Sequence, residues 1–283
     1  MKNTRKPRSF KSRLTLRIVL TILVITAMMI SFLRADYYSV FLCALTLILF
    51  DIPAFVDRRL NIALPSVLEA TILLFIFAAE ILGEIGSFYT HIPWWDTMLH
   101  TINGFIMAAI GFSLVDILNN SPRFHINMSP IFVALVSFCF SMTVGVVWEF
   151  FEYSADLFAK TDMQKDFIIN SISSVALNPD GLNDPVKITG ITDCVIHYIQ
   201  NGAEMEYVIS GGYLDIGIND TMKDLLVNCI GAVSFSLYGY LYSIGRGKVN
   251  LFKMFSPHKK QFAAQDNSKE SLKKGSISYE DQA

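Results

Sequence analysis

Apolar residues gather in six long runs, near Leu14 to Leu33, Tyr38 to Val56, Ile62 to Leu82, Thr97 to Leu118, Pro130 to Phe151 and Met222 to Ile244. Each reaches the ~17–25 residues that an α-helix needs to cross a ~30 Å hydrocarbon core. A helix satisfies its own backbone hydrogen bonds, as lipid demands. The pattern predicts an all-α polytopic membrane protein with about six transmembrane helices. A cleaved signal peptide competes for the first run. Its length, and the poor cleavage site in "SFLRADYY", favour an uncleaved helix. Pro53 is expected to kink or end the second helix.

Between the fifth and sixth runs the chain turns polar and acidic, from Tyr153 to Asn219, with Asp156, Asp162, Asp166, Asp180, Asp184, Asp193, Glu204, Glu206 and Asp215. Within it, "DCVIHYIQNGAEMEYVIS" reads as a β-hairpin, so the fold class includes a small insertion with a hairpin. Asn201-Gly202 suits a two-residue type I′ turn, which needs positive φ at both central positions. That register sets His197 opposite Glu206, more naturally a cross-strand pair than a ligand set. The acidic residues read as a solvated surface that concentrates cations. The organisation is then a basic N-terminus (1–13), helices 1 to 5 (14–152), the acidic loop (153–219), helix 6 (220–245) and a polar tail expected to be largely disordered (246–283).

Positive charge orients this topology. With the N-terminus cytoplasmic, the inner segments hold Arg58, Arg59, Arg123, Arg246, Lys248, Lys253, Lys259 and Lys260. The outer ones hold Arg34, and then Lys160, Lys165 and Lys187 spread over the long loop. Both termini are thus expected in the cytoplasm of a multi-pass cell-membrane protein, with the acidic loop extracytoplasmic.

Composition agrees: 52% of residues are hydrophobic and the mean hydropathy is +0.42. The net charge of -2 is small but unevenly spread. Cys43, Cys139, Cys194 and Cys229 stand apart, without zinc-type spacing, which argues against a disulfide framework. The basic N-terminus flanks a membrane helix, so nucleic acid is not an expected partner. Phosphate-loop, Ser-x-x-Lys, HExxH and Gly-x-Ser-x-Gly patterns are absent.

Candidate chemistry collects at the outer ends of the helices. In "HIPWWDTMLHTINGF", Asp96 and His100 are four apart and Asn103 continues their face. Helix 5 ends in "VWEFFEYSAD", with Glu149, Glu152 and Asp156 on one face. Helix 6 opens "NDTMKDLLVNCIGA", where Asp220, Asp224 and Asn228 descend one face. Asn228 lies roughly 12 Å below Asp220 along the axis. Helix 3 ends with Glu80 and Glu84. Charge in lipid costs about 2.5–3.5 kcal/mol per residue, so these groups should face one another. Packed carboxylates repel, and a cation is the simplest way to hold them. Histidine with Asp, Glu or Asn suits Zn, Mn, Mg or Ca. Gly104 and Gly231 would let helices 4 and 6 approach closely.

Plainer readings stand beside this. Asp96 and Asp220 precede helices and could be N-caps. His100 and Asp224 lie a turn deeper, where an ion pair is the alternative. Glu152 could be interfacial beside Trp148, and Trp94 and Trp95 could be aromatic anchors. Glu80 and Glu84 read as lying at the water boundary. Asp51, Asp57, Glu69 and Asp116 sit toward the inner side and read as structural.

"GSFYTHIPWWDTMLHTINGF", "WEFFEYSAD" and "DIGINDTMKDLLVNCIGA" resemble the YjdF-like family of bacterial inner-membrane proteins. The likeness covers about Glu84 to Ala232, and helices 1 and 2 carry none of it. A fainter one links the same helices to VanZ-like membrane proteins. The chain departs in a longer connection from about Asp162 to Gly211. The resemblance implies a polytopic membrane protein without a settled reaction, and the VanZ-like likeness points to the cell envelope.

Three functions follow as expectations. In the first, His100, Asp220 and Asp224 hold a divalent metal, with Asp96 and Asn228 as further candidates. Glu149 or Glu152 then acts as general base or additional ligand, on an envelope lipid or its headgroup. In the second, the cluster is structural and the protein is a membrane scaffold whose loop binds a partner. A transporter ranks last, because no inverted repeat or broken helix pair is evident.

Overall fold

The structure is a computed structural model, and it describes residues 8–59, 62–119, 128–245 and 258–259. The expected tail after Lys260 and the arginine at 123 lie outside them. Among the described residues, six helices are long and apolar enough to cross a membrane: Leu14–Leu33, Tyr37–Phe55, Ser66–Ile85, Trp95–Asp116, Pro130–Ala159 and Ile218–Ile244. The protein is mostly helical, with a small region of short antiparallel strands.

The first three spans form one group. Helix α1 (Arg8–Leu33) packs on α2 (Tyr37–Leu49) and α4 (Ser66–Ile76). Their core holds Leu20, Val24, Cys43, Phe50, Leu73, Ile76 and Ile81. The second span breaks after Leu49 and resumes as α3 (Ile52–Arg59), with Pro53 in its first turn, where its missing N–H costs nothing. Arg17 of α1 pairs with Asp51 at that break, giving this acid its structural role. Residues Ile62–Ala63, expected to open helix 3, are instead a strand, β1, paired with His258–Lys259. The connection between spans two and three therefore lies at the same end as the segment after span six.

Span three ends as a π-helix over Phe77–Ile85. Such wide turns leave carbonyls for other donors. Trp95 Nε1 donates to the Ala78 carbonyl at 3.3 Å, so Trp95 ties two spans together. Trp94, by contrast, is 59% exposed. Glu80 and Glu84 lie in the π-helix and are half-buried, not at an open boundary.

The second group is α6 (Trp95–Asn119), α7 (Pro130–Ala159) and α8 (Ile218–Ile244), which follow the short α5 (Phe88–His91). Their core holds Ala108, Ala109, Phe112, Val115, Val133, Ala232 and Phe235. Close approach depends on small residues, as expected at membrane helix interfaces. A Cβ on Gly104 would run into the Asn228 carbonyl oxygen, and one on Gly231 into the Thr101 carbonyl oxygen. The two glycines thus serve the same α6–α8 seam from opposite sides. Helix α7 is stitched to α6 by hydroxyls: Ser141 donates to the Gly104 carbonyl at 2.7 Å and Ser137 to that of Ala108 at 2.6 Å.

Two boundaries differ from expectation. Helix α7 runs on to Ala159, two turns beyond Phe151, and α8 starts at Ile218, a turn before Met222. Between them the hairpin forms as expected, from strands Asp193–Gln200 and Ala203–Ser210. Asn201 and Gly202 have φ of 53° and 80°, and His197 pairs with Glu206 at 3.1 Å. Two further pairs were not anticipated: Ser171–Ser174 with Val186–Thr189, and Ile168–Ile169 with Tyr213–Leu214.

The loop's acids are not all solvated. Asp156 accepts from the Met163 and Gln164 backbone N–H groups at 2.7 and 2.8 Å and from the Thr161 hydroxyl. Asp215 is buried and accepts from the N–H groups of Phe167, Gly217 and Asn219 at 2.8, 3.3 and 2.9 Å. Burial alone would push the Asp215 carboxyl up, but these donors outweigh it and hold it below its ordinary value.

Candidate functional site

The site forms where α6, α7 and α8 meet at the strand-bearing end of the bundle. Asp96 and His100 are stacked one turn apart on α6. Asp224 arrives from α8, already a turn and a half inside the helix and 1% exposed. His100 Nε2 lies 3.4 Å from Asp96 Oδ1 and 3.7 Å from Asp224 Oδ2. One donor atom from each of the three residues falls within 4.8 Å of the others, a spacing that fits a single metal ion.

Glu149 of α7 closes the other side of the imidazole. Its Oε1 is 3.9 Å from His100 Nδ1, and the residue is only 4% exposed. Neither of its oxygens has a hydrogen-bond partner among the described residues, and neither has Asp224 Oδ1. Buried carboxylate oxygens without hydrogen bonds are costly, and these three gather at one place around His100.

The remaining candidates are distributed around this centre. Asp220 is buried in the first turn of α8, but the N-cap position belongs to Gly217, so capping does not explain it. It accepts instead from the Lys165 backbone N–H at 2.9 Å. Glu152 accepts from Trp148 Nε1 at 2.8 Å, one turn back on its own helix. Asn228 lies deeper, accepting from Asn103 Nδ2 at 3.2 Å. The structure therefore gathers Asp96, His100, Asp224 and Glu149, and places Asp220 outward, Asn228 inward and Glu152 beside the group. Asp96 takes the place beside His100 and Asp224 that the sequence reading gave to Asp220.

Lys223 is the residue that sequence reasoning missed. Its Nζ lies 3.3 Å from Asp96 Oδ2, 3.3 Å from Asp220 Oδ1 and 3.7 Å from Asp224 Oδ1. Its position three residues after Asp220 was the available signal. Four carboxylates, Asp96, Asp220, Asp224 and Glu149, still outnumber this one fixed cation. Tyr89 was missed as well. Burial pushes its phenol well above its ordinary value, and nearby Asp96, Glu84, Glu80 and Glu152 add to the effect. It therefore remains neutral.

The insertion covers the site. Gln164 Nε2 donates to the Thr221 hydroxyl at 2.6 Å, and the Phe167 ring lies 5.8 Å from Lys223 Nζ. Together with the Lys165 N–H this seats residues 164–167 on the first turn of α8.

No curated protein and no solved structure matches the chain. A family model described as "Predicted membrane protein (DUF2238)" matches residues 16–185. That range includes helices 1 and 2, which the motif likeness left out, and it ends before the hairpin and α8. It spans more than half of the 283 residues, and the chain belongs to this DUF2238 family of membrane proteins.

Proposed function

We propose that the cluster binds a divalent cation at the extracytoplasmic membrane face and acts there on an envelope lipid or its headgroup by hydrolysis or group transfer. Asp96, His100 and Asp224 supply the donors, with Asp220 and Asn228 as neighbours on α8. The observation that carries this reading is the Glu149 carboxylate, 4% exposed, with no hydrogen-bond partner within 3.5 Å among the described residues and 3.9 Å from His100 Nδ1. A metal on Nε2 would leave Nδ1–H to donate to Glu149, the carboxylate–histidine–metal arrangement common at such centres. When bound, the metal would make water a nucleophile by lowering its pKa. Glu149 then orients His100, and Glu152 is the remaining candidate for a general base. The YjdF-like and VanZ-like resemblances support a bacterial envelope setting, and the excess of basic residues in the opposite segments supports the orientation. Metal analysis of detergent-purified protein tests the reading: wild type should carry about one equivalent and His100→Ala much less. Equal metal in both, or none in either, overturns it.

A second reading, a non-enzymatic membrane scaffold, is favoured by Lys223, which already supplies one cation to three carboxylates. On that reading Asp224→Asn destabilises the protein equally with and without metal. On the first, added metal stabilises wild type and not the variant.

A further inference from the structure

Lys223 and His100 bridge the same two carboxylates through opposite oxygens. His100 Nε2 faces Asp96 Oδ1 at 3.4 Å and Asp224 Oδ2 at 3.7 Å. Lys223 Nζ faces Asp96 Oδ2 at 3.3 Å and Asp224 Oδ1 at 3.7 Å. Asp220 Oδ1 holds the ammonium from a third direction at 3.3 Å, and the Phe167 ring lies over it. The two carboxylates come from different helices, so the ammonium ties α6 to α8 at the level of the site.

We propose that Lys223 determines which metal the site accepts. By bonding the second oxygen of Asp96 and standing 3.7 Å from that of Asp224, it favours a single oxygen from each carboxylate beside His100 Nε2. The inference rests on the divalent-cation reading above. The resulting donor set is one imidazole nitrogen and two single carboxylate oxygens. Three protein donors plus water is the pattern of catalytic zinc sites, and histidine with carboxylate also suits manganese. Calcium takes about 6–8 oxygens and uses bidentate carboxylates to reach that number. With the ammonium in place, each carboxylate must give up its contact with Lys223 to turn bidentate. Without it, both are free to do so. Asp220 is a positioning residue for Lys223 on this account, not a ligand.

The experiment titrates Zn²⁺, Mn²⁺ and Ca²⁺ separately into full-length protein in detergent, for wild type, Lys223→Met, Lys223→Gln, Lys223→Arg and Asp220→Asn. Wild type is expected to prefer Zn²⁺ and Mn²⁺ over Ca²⁺. Lys223→Met and Lys223→Gln should narrow that preference about tenfold or more, the scale of outer-shell effects at metal sites. Asp220→Asn should narrow it in the same direction, and Lys223→Arg should retain it. A purely structural lysine would alter thermal stability and leave the ratio of affinities alone. An unchanged ratio in the neutral variants, with metal still bound, overturns the role of Lys223 and leaves the cation site standing. Failure of every form to bind any of the three metals overturns both. Two neutral variants and the Asp220 substitution keep the result decisive if one protein fails to fold.

Discussion

His100 Nδ1 faces Glu149 Oε1 at 3.9 Å, across the α6–α7 seam, while its Nε2 faces Asp96 and Asp224. Each ring nitrogen thus meets carboxylate from a different direction. Which nitrogen bears the proton is set by the partner the other one takes.

Glu149→Gln tests this arrangement. It keeps the side-chain shape and removes a buried, unbonded charge, so the metal-free variant should be at least as stable as wild type. Its metal affinity should fall about 10–100-fold, as when an outer-shell acceptor of a ligating histidine is lost. Thermal unfolding with and without metal reads both quantities. Lower metal-free stability together with unchanged affinity would make Glu149 a structural residue.

Gly104→Ala and Gly231→Ala probe the seam that brings Asp96 and His100 to Asp224. Each added Cβ would meet a backbone carbonyl oxygen, of Asn228 and of Thr101 respectively, and backbone cannot step aside as a flexible side chain can. Each variant should lose at least about 1–3 kcal/mol, the scale of overpacking in a tight core. Each should also weaken metal binding, because the carboxylates ride on the separated helices. A fully stable Gly104→Ala protein would show that α6 and α8 sit farther apart than described.

Much of this was legible from spacing. The six spans follow from run length, and the hairpin follows from Asn201-Gly202 between alternating strands. Asp96 with His100, and Asp220 with Asp224, follow from the helical period, which fixes faces within one helix. It does not fix the rotation of one helix against another, so spacing alone does not decide whether Asp96 or Asp220 stands beside His100 and Asp224. Lys223 was overlooked because a lysine one residue before Asp224 points to a different face by period alone; its long, flexible stem carries the ammonium back to the acids. The π-helix at Phe77–Ile85 has no comparable sequence signal. The bonding of Asp156 and Asp215 has no sequence signal because their partners are mainly backbone N–H groups of the loop itself, which composition does not reveal.

Asp215 makes the loop's attachment pH-dependent. A carboxyl held below its ordinary value contributes stability that is fully present above about pH 3.9 and is lost as pH falls through the lowered value. The contacts at stake are the N–H groups of Phe167, Gly217 and Asn219, which tie residues 164–167 to the start of α8. Asp215→Asn should therefore loosen this segment at neutral pH and flatten its response to acid. Amide hydrogen exchange at residues 164–170 and 215–219, followed from neutral pH down to about pH 2, reads the effect. An acid response as steep in Asp215→Asn as in wild type would assign it to another group.

On the metal-site reading, the orientation of the bundle decides which compartment would supply the cation and any substrate. All strand-bearing residues from 168 to 214 lie between α7 and α8, at the same end as His100 and Asp224. With the N-terminus cytoplasmic, that end is extracytoplasmic. Ile199 lies on the hairpin and is 77% exposed, so Ile199→Cys should place a reactive thiol in water without touching the site. A membrane-impermeant maleimide should label it in intact cells well above the parent chain, whose Cys194 is only partly exposed. Labelling that appears only after lysis would invert the topology. It would also move the cluster to the cytoplasmic leaflet, where lipids of the outer envelope surface are out of reach and the proposed substrate class would fall with the orientation.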